Sequence, residues 1–112
     1  DDKGIKWPVN VAPFQISIIN LMIQDSNCKN ICDSMYEKLL NSSFDVLYDD
    51  RDCSIGKKLS DNELIGIPFQ IVVGKRDLKD NLVELKDRSK NNSLKMSPED
   101  VINFLSNEII LS

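Results

Sequence analysis

Short apolar runs alternate with stretches of helical periodicity along the first two thirds of this chain, and that alternation predicts the fold. Phe14-Gln-Ile-Ser-Ile-Ile-Asn-Leu21 is β-rich and largely apolar, the pattern of a strand covered on both faces. Ser26 or Asn27 then stands where a helix cap belongs. Cys28, Ile31, Cys32, Met35 and Leu39 follow at helical spacing as one buried stripe, with Tyr36 and Leu40 beside it. Asn41-Ser-Ser43 ends that helix. A second short strand is predicted over Asp45-Val-Leu-Tyr48, and its exit, Asp49-Asp-Arg-Asp52, is too polar for core. Gly56 marks a turn. A short helix is predicted from about Lys58 to Ile65, stopped by Gly66 and Pro68. Ser60-x-x-Glu63 offers a later start as a capping box, but that would leave barely one turn, so the earlier start is preferred.

Phe69-Gln-Ile-Val-Val73 is a third apolar strand, and Gly74 to Asn81 makes a polar reversal. Leu82 to Asp87 alternates Val83 and Leu85 with charged neighbours, a half-exposed strand antiparallel to the third. Lys90-Asn-Asn-Ser93 reads as a turn and Leu94-Lys-Met96 as an edge strand. Ser97-Pro98-Glu99-Asp100 starts a last helix: a cap, a proline at the first position, then acids at the positive end of the dipole. Its buried stripe is Val101, Ile102, Leu105 and Ile109. Residues 1–13, with Trp7-Pro8 and Ala12-Pro13, are expected to be irregular. Strand–helix–strand–helix–strand implies parallel pairing through right-handed crossovers, followed by a hairpin and a terminal helix. The expected fold is α/β, a three-layer α/β/α arrangement.

Composition narrows the chemistry. The 112 residues fit one domain, and 41% apolar with 29% charged residues is ordinary for a globular protein. The uncharged run Trp7–Gln24 is interrupted by Pro8, Pro13 and polar residues, which argues against a membrane span. The opening Asp-Asp-Lys-Gly has neither the basic nor the apolar part of an export signal. With three cysteines (Cys28, Cys32, Cys53) and no histidine, a zinc site lacks ligands and a full disulfide framework lacks a partner. Reduced structural thiols and a cytoplasmic location are expected. The net charge of −4 opposes broad phosphate binding, yet residues 51–90 carry nine basic against seven acidic groups, which permits a small RNA footprint.

Without histidine, Ser-His-Asp and Cys-His catalysis is excluded, and neither a Walker A nor a dinucleotide glycine pattern occurs. Asp49, Asp50 and Asp52 could hold Mg²⁺ at a strand end, as in a flavodoxin-like phosphate-binding regulator, but Arg51 among them, with Lys57 and Lys58 nearby, favours internal ion pairing. Ligands of open α/β sheets gather at the carboxyl ends of the parallel strands, where Asp50, Arg51, Gly74, Lys75 and Arg76 collect. Arg51 can donate two hydrogen bonds to guanine O6 and N7. Glu63 or Asp50 can accept from the N1–H and N2–H₂ of an unpaired guanine, and Lys58 can serve a phosphate or base oxygen. The competing reading is a solvated loop whose charges pair among themselves. Trp7 and Phe14 could stack on a base, though packing under the N-terminal segment is the simpler role. Lys86, Arg88 and Lys90 could touch an RNA backbone or form a solvated strand face.

Gly4-Ile-Lys-Trp-Pro8, Ala12-Pro-Phe14, Tyr36-Glu-Lys-Leu39, Val46-Leu-Tyr-Asp-Asp-Arg51, Ser54-x-Gly-x-Lys58, Asp61-x-Glu-Leu-Ile-Gly-Ile-Pro68 and Ile71-Val-Val-Gly-Lys75, in this order and spacing, resemble the anticodon-binding domain of bacterial-type prolyl-tRNA synthetases. The Ala-Pro start and strand layout are shared with sister class IIa synthetases, so the anticodon domain of a sister synthetase or of an accessory homologue without a catalytic partner is the alternative. Asp-Asp-Arg with Glu-Leu-Ile-Gly-Ile-Pro is specifically prolyl in character. The resemblance implies residues 14–112 as an anticodon-binding domain, a mixed five-stranded sheet flanked by three helices, and 1–13 as the segment leading from a class II catalytic domain. It implies recognition of the two guanines of the UGG anticodon of tRNA(Pro), with Asp50, Arg51, Lys58 and Glu63 as readers. It also implies a full-length, ATP- and Mg-dependent homodimeric ligase, with no cofactor held by these residues. Ile55 and Leu59 depart from the proline and aromatic usual at those loop positions.

Overall fold

The computed structural model of the chain describes residues 14–88, 90 and 92–110, with side chains as far as 107. The motifs quoted before Phe14, Trp7 among them, and the side chain of Ile109 lie outside those described.

Among the described residues, five strands and four helices follow one another as β1 (Ile16–Asn20), α1 (Ser26–Asn41), β2 (Val46–Asp49), α2 (Ile55–Ile65), β3 (Phe69–Val73), α3 (Lys75–Leu78), β4 (Val83–Asp87), β5 (Asn92–Met96) and α4 (Pro98–Ile110). The sheet order is β2-β1-β3-β4-β5. β1 pairs parallel with β2 and β3, Ile16 standing opposite both Val46 and Phe69. β4 runs antiparallel to β3 and β5 to β4, so the sheet is mixed as expected. The three flanking helices are α1, α2 and α4. The reversal after Gly74 contains a further single turn, α3.

Both faces of β1 and β3 are covered, which is why their sequences are nearly continuous apolar runs. Side chains alternate across the sheet. Ile16, Ile18, Phe69, Ile71 and Val73 pack with Cys28, Cys32, Met35 and Leu39 of α1 and with Val101 and Leu105 of α4 in one core. Ser17, Ile19, Gln70 and Val72 are also buried but face the other way, towards α2.

Strand ends shift by a residue or two from the sequence pattern, and four boundaries differ in ways that bear on capping and the site. The cap of α1 is Asp25, not Ser26 or Asn27: its backbone is extended and its carboxylate accepts from the amides of Asn27 and Cys28. α2 begins at Ile55, three residues before Lys58, because the Ser54 hydroxyl accepts from the Lys57 amide at 3.2 Å. Gly56 therefore lies inside its first turn. β2 extends to include Asp49, and β5 begins at Asn92 inside the stretch read as a turn. Gly66 closes α2 in the left-handed region at φ 77°, where a side chain is disfavoured. The Ser97 cap is as expected, its hydroxyl accepting from the Asp100 amide.

Candidate nucleic-acid interface

α2 is inverted with respect to polarity. Its buried residues are Lys58 and Asn62, each 1% exposed, whereas Ile55 and Leu64 are 46% and 60% exposed. Helix packing normally turns the apolar stripe inward. Here the sheet beneath offers polar groups instead, and buried polar groups must be paired.

That pairing forms one continuous network. The Ser17 hydroxyl of β1 donates to the Asn62 side-chain oxygen. Asn62 Nδ2 donates to Asp49 Oδ2 and to the Lys58 carbonyl, both at 2.8 Å. Asp49, buried at the end of β2, accepts from Arg51 in a two-pronged pair, Nε to Oδ1 and Nη2 to Oδ2, each at 2.8 Å. Arg51 Nη1 reaches Asp61 Oδ2 at 3.0 Å, and Lys57 stands 3.3 Å from the same oxygen. Burial works against the ionised form of Asp49, but hydrogen bonds from Arg51 and Asn62 outweigh it and hold the carboxyl below its usual range. Asp61 is held low by Arg51 and then Lys57. Hydrogen bonds to Asp49 and then Asp61 push the Arg51 pKa above its ordinary value, so this guanidinium is a permanent cation.

The four sequence-derived readers do not converge on one point. Asp50 and Arg51 are exposed beside β2. The Lys58 ammonium lies inside, donating to the Asn20 carbonyl at 2.7 Å, and so ties α2 to the carboxyl end of β1. Glu63 pairs with Arg88, whose side chain is 7% exposed, on the opposite flank of α2. Two clefts result. One, of about 590 Å³, runs between β2 and α2 and is lined by Leu47, Tyr48, Leu64 and Ile65 with Asp49, Arg51, Asp61 and Asn62 at its polar end. The other, of about 460 Å³, lies between α2 and the β4–β5 hairpin, with Glu63, Gln70, Lys86, Arg88 and Ser93 among its lining. Lys86 and Arg88 thus border a groove rather than a plain solvated strand face.

Asp61 and Asn62 escaped the sequence reading. The signal available was their place on α2 relative to Arg51, visible only once the helix is set against β2. A magnesium site of Asp49, Asp50 and Asp52 is not favoured: both Asp49 oxygens are engaged, and among the described residues no cluster of three or more potential ligands can hold a metal. No described helix is long and apolar enough to cross a membrane.

Residues 15–108 match the family model described as an anticodon binding domain. A proline–tRNA ligase of Zymomonas mobilis is 43% identical over 106 residues, 95% of this chain and 24% of that protein. The Rickettsia akari proline–tRNA ligase is 43% identical over 94% of this chain and 25% of its own length. The chain therefore spans about a quarter of these relatives. The crystal structure of a Cryptosporidium parvum prolyl-tRNA synthetase, complexed with L-proline and AMP, superposes with a TM-score of 0.80 at 24% identity, over 99% of this chain and 26% of that one. That likeness bears on the fold, and it agrees with the mixed sheet found here.

Proposed function

The chain belongs to the anticodon binding domain family, and we propose that it recognises the anticodon loop of tRNA(Pro) for a full-length proline–tRNA ligase. In that enzyme a class II catalytic domain performs ATP- and Mg-dependent ligation in the cytoplasm, as a homodimer. The domain supplies binding energy and orientation, which become specificity when they favour the correct tRNA in the transition state.

The observation that carries this reading is Arg51. It is an exposed, permanently charged guanidinium just beyond the carboxyl end of β2, fixed in a plane by Asp49, within the segment matched to the family. A planar fork of N–H donors suits a purine edge. Asp50 stands next to it, and Glu63 with Arg88 offers a second acceptor–donor pair across α2. Lys58 acts from beneath, fixing the helix that carries Asp61 and Glu63.

The test is binding of the chain at low salt to a tRNA(Pro) anticodon stem-loop, against the same loop with both guanines replaced by adenines. Preference for the guanine loop, weakened roughly 5- to 150-fold by Arg51→Ala, is the expected outcome. Equal binding to both loops by the chain and by the full-length ligase would refute the reading.

A further inference from the structure

We propose that the cleft between β2 and α2 is a guanine pocket, in which Arg51 and Asp61 read the Watson–Crick edge. The inference rests on the anticodon reading above and assigns one guanine to a place in the fold.

The cleft has the chemistry of a nucleobase site: mostly apolar walls and a few convergent polar groups. Leu47, Tyr48, Leu64 and Ile65 line it, and Leu64 is among the most exposed apolar side chains described. Such walls suit the faces of a flat heterocycle better than a phosphate. At the polar end a donor and an acceptor stand side by side, Arg51 Nη1 3.0 Å from Asp61 Oδ2. Three of the five guanidinium N–H groups are engaged by Asp49 and Asp61, so donors remain for an incoming acceptor.

Guanine presents O6 as an acceptor beside N1–H and N2–H₂ as donors. O6 takes a hydrogen bond from Arg51, and N1–H and N2–H₂ donate to the Asp61 carboxylate. Adenine inverts both positions: its amino group faces the guanidinium and its N1 lone pair faces the carboxylate. The pocket rejects adenine by repulsion as well as by lost bonds. Inosine keeps O6 and N1–H but lacks the N2 amino group, so it loses part of the contact to Asp61 alone. Asp61 is accordingly the specificity carboxylate of this pocket. Glu63, which the sequence suggested for that role, is paired with Arg88 in the other cleft.

The experiment measures affinity for anticodon stem-loops carrying guanine, inosine or adenine at each of the two guanine positions in turn. The chain, Asp61→Asn and a control, Asp77→Asn, whose carboxylate pairs with Lys95 far along the sheet, are compared, each with its melting temperature. At one position the chain favours guanine over adenine by tenfold or more and over inosine by a smaller factor. Asp61→Asn reduces both preferences to within threefold while the chain stays folded, its melting lowered only by the loss of the pairs to Arg51 and Lys57, and Asp77→Asn changes neither preference. A chain that prefers guanine while Asp61→Asn keeps the same ratios overturns the pocket and leaves anticodon reading intact. Absence of a guanine preference in the chain and in the full-length ligase alike overturns the anticodon reading and the pocket together.

Discussion

Replacing Asn62 by alanine should destabilise the domain out of proportion to the size of the side chain. Asn62 is 1% exposed and makes three hydrogen bonds: from Ser17, to the Lys58 carbonyl and to the Asp49 carboxylate. A neutral bond contributes about 1 kcal/mol and one to a charged group about 1.5–3 kcal/mol, and partners left buried and unpaired lose more than the mean. Because the bonds share one network they are not additive, and about 3 kcal/mol is the expected loss. For a domain of this size 1 kcal/mol moves the midpoint by about 4 °C, so the melting temperature should fall by about 12 °C. Thermal and urea unfolding followed by circular dichroism give the value. Asn62→Asp sharpens the test by placing a second carboxyl against Asp49. One of the two then holds its proton in the folded state to a higher pH than in the unfolded chain. That variant should lose stability as pH rises through the raised value and recover as it falls. A loss below about 1 kcal/mol in Asn62→Ala, scarcely more than a mean neutral hydrogen bond, would show that water satisfies Ser17 and Asp49 as well as Asn62 does.

Gly66→Ala forces a side chain into the left-handed region at φ 77° and should lower the urea-derived stability by about 1 kcal/mol, with Gly66→Asn losing less; equal stability of all three would refute the strain argument. The Asp49 carboxyl titrates below its ordinary 3.8 in the folded state. Its contribution is present above that ordinary value and lost as pH falls through the depressed one, so Asp49→Asn should flatten the slope of stability against pH below about 4. Asp33 and Asp61, also held low, leave a residual slope, and an unchanged slope would refute the Asp49 assignment. Burial, and then the neighbouring Cys28, push the Cys32 thiol up to about 12, and Cys28 is raised by burial and by Asp25. Alkylation of the native chain near pH 8 should label Cys53, which is half-buried, and spare Cys28 and Cys32 until unfolding. Equal labelling of all three by mass spectrometry would refute this.

How much of this was legible depended on whether a local period carried the information. β1 and β3 could be read because strands covered on both faces are runs of Ile and Val, and α1 because Cys28, Cys32, Met35 and Leu39 do fill one stripe. α2 resisted. Its sequence offers Ile55, Leu59, Leu64 and Ile65 as apolar candidates, and the fold instead buries Lys58 and Asn62. No helical period predicts that, since the deciding partners lie on other elements: Ser17, the Asn20 carbonyl and Asp49. The same holds for Asp49-Asp-Arg-Asp52, read as too polar for core. Asp49 is buried because Arg51 and Asn62 surround it, and a carboxylate so paired can be buried at tolerable cost. Arg51 could be singled out from the sequence by its type and its place after a strand. Asp61 could not, because its meaning is a 3.0 Å distance to that arginine.

The same network bears on how such an acidic domain would bind RNA, as proposed above. Several of its cations are matched to acids of their own: Arg51 to Asp49 and Asp61, Lys57 to Asp61, Lys75 to Asp25, Arg88 to Glu63, Lys95 to Asp77. With a net charge of −4, few phosphates can be neutralised, so on the proposed reading affinity comes from base contacts. Those contacts benefit from an arginine already fixed through Asp49 and Asn62 to the sheet, which leaves little side-chain entropy to lose on binding. Taking about two or three phosphate contacts, the slope of log K against log salt for a single-stranded loop should be about −2. Titrations of the guanine stem-loop across a salt series measure it. A slope steeper than about −4 would mean that phosphate neutralisation dominates, and the fixed guanidinium would then be an accessory to binding rather than its centre.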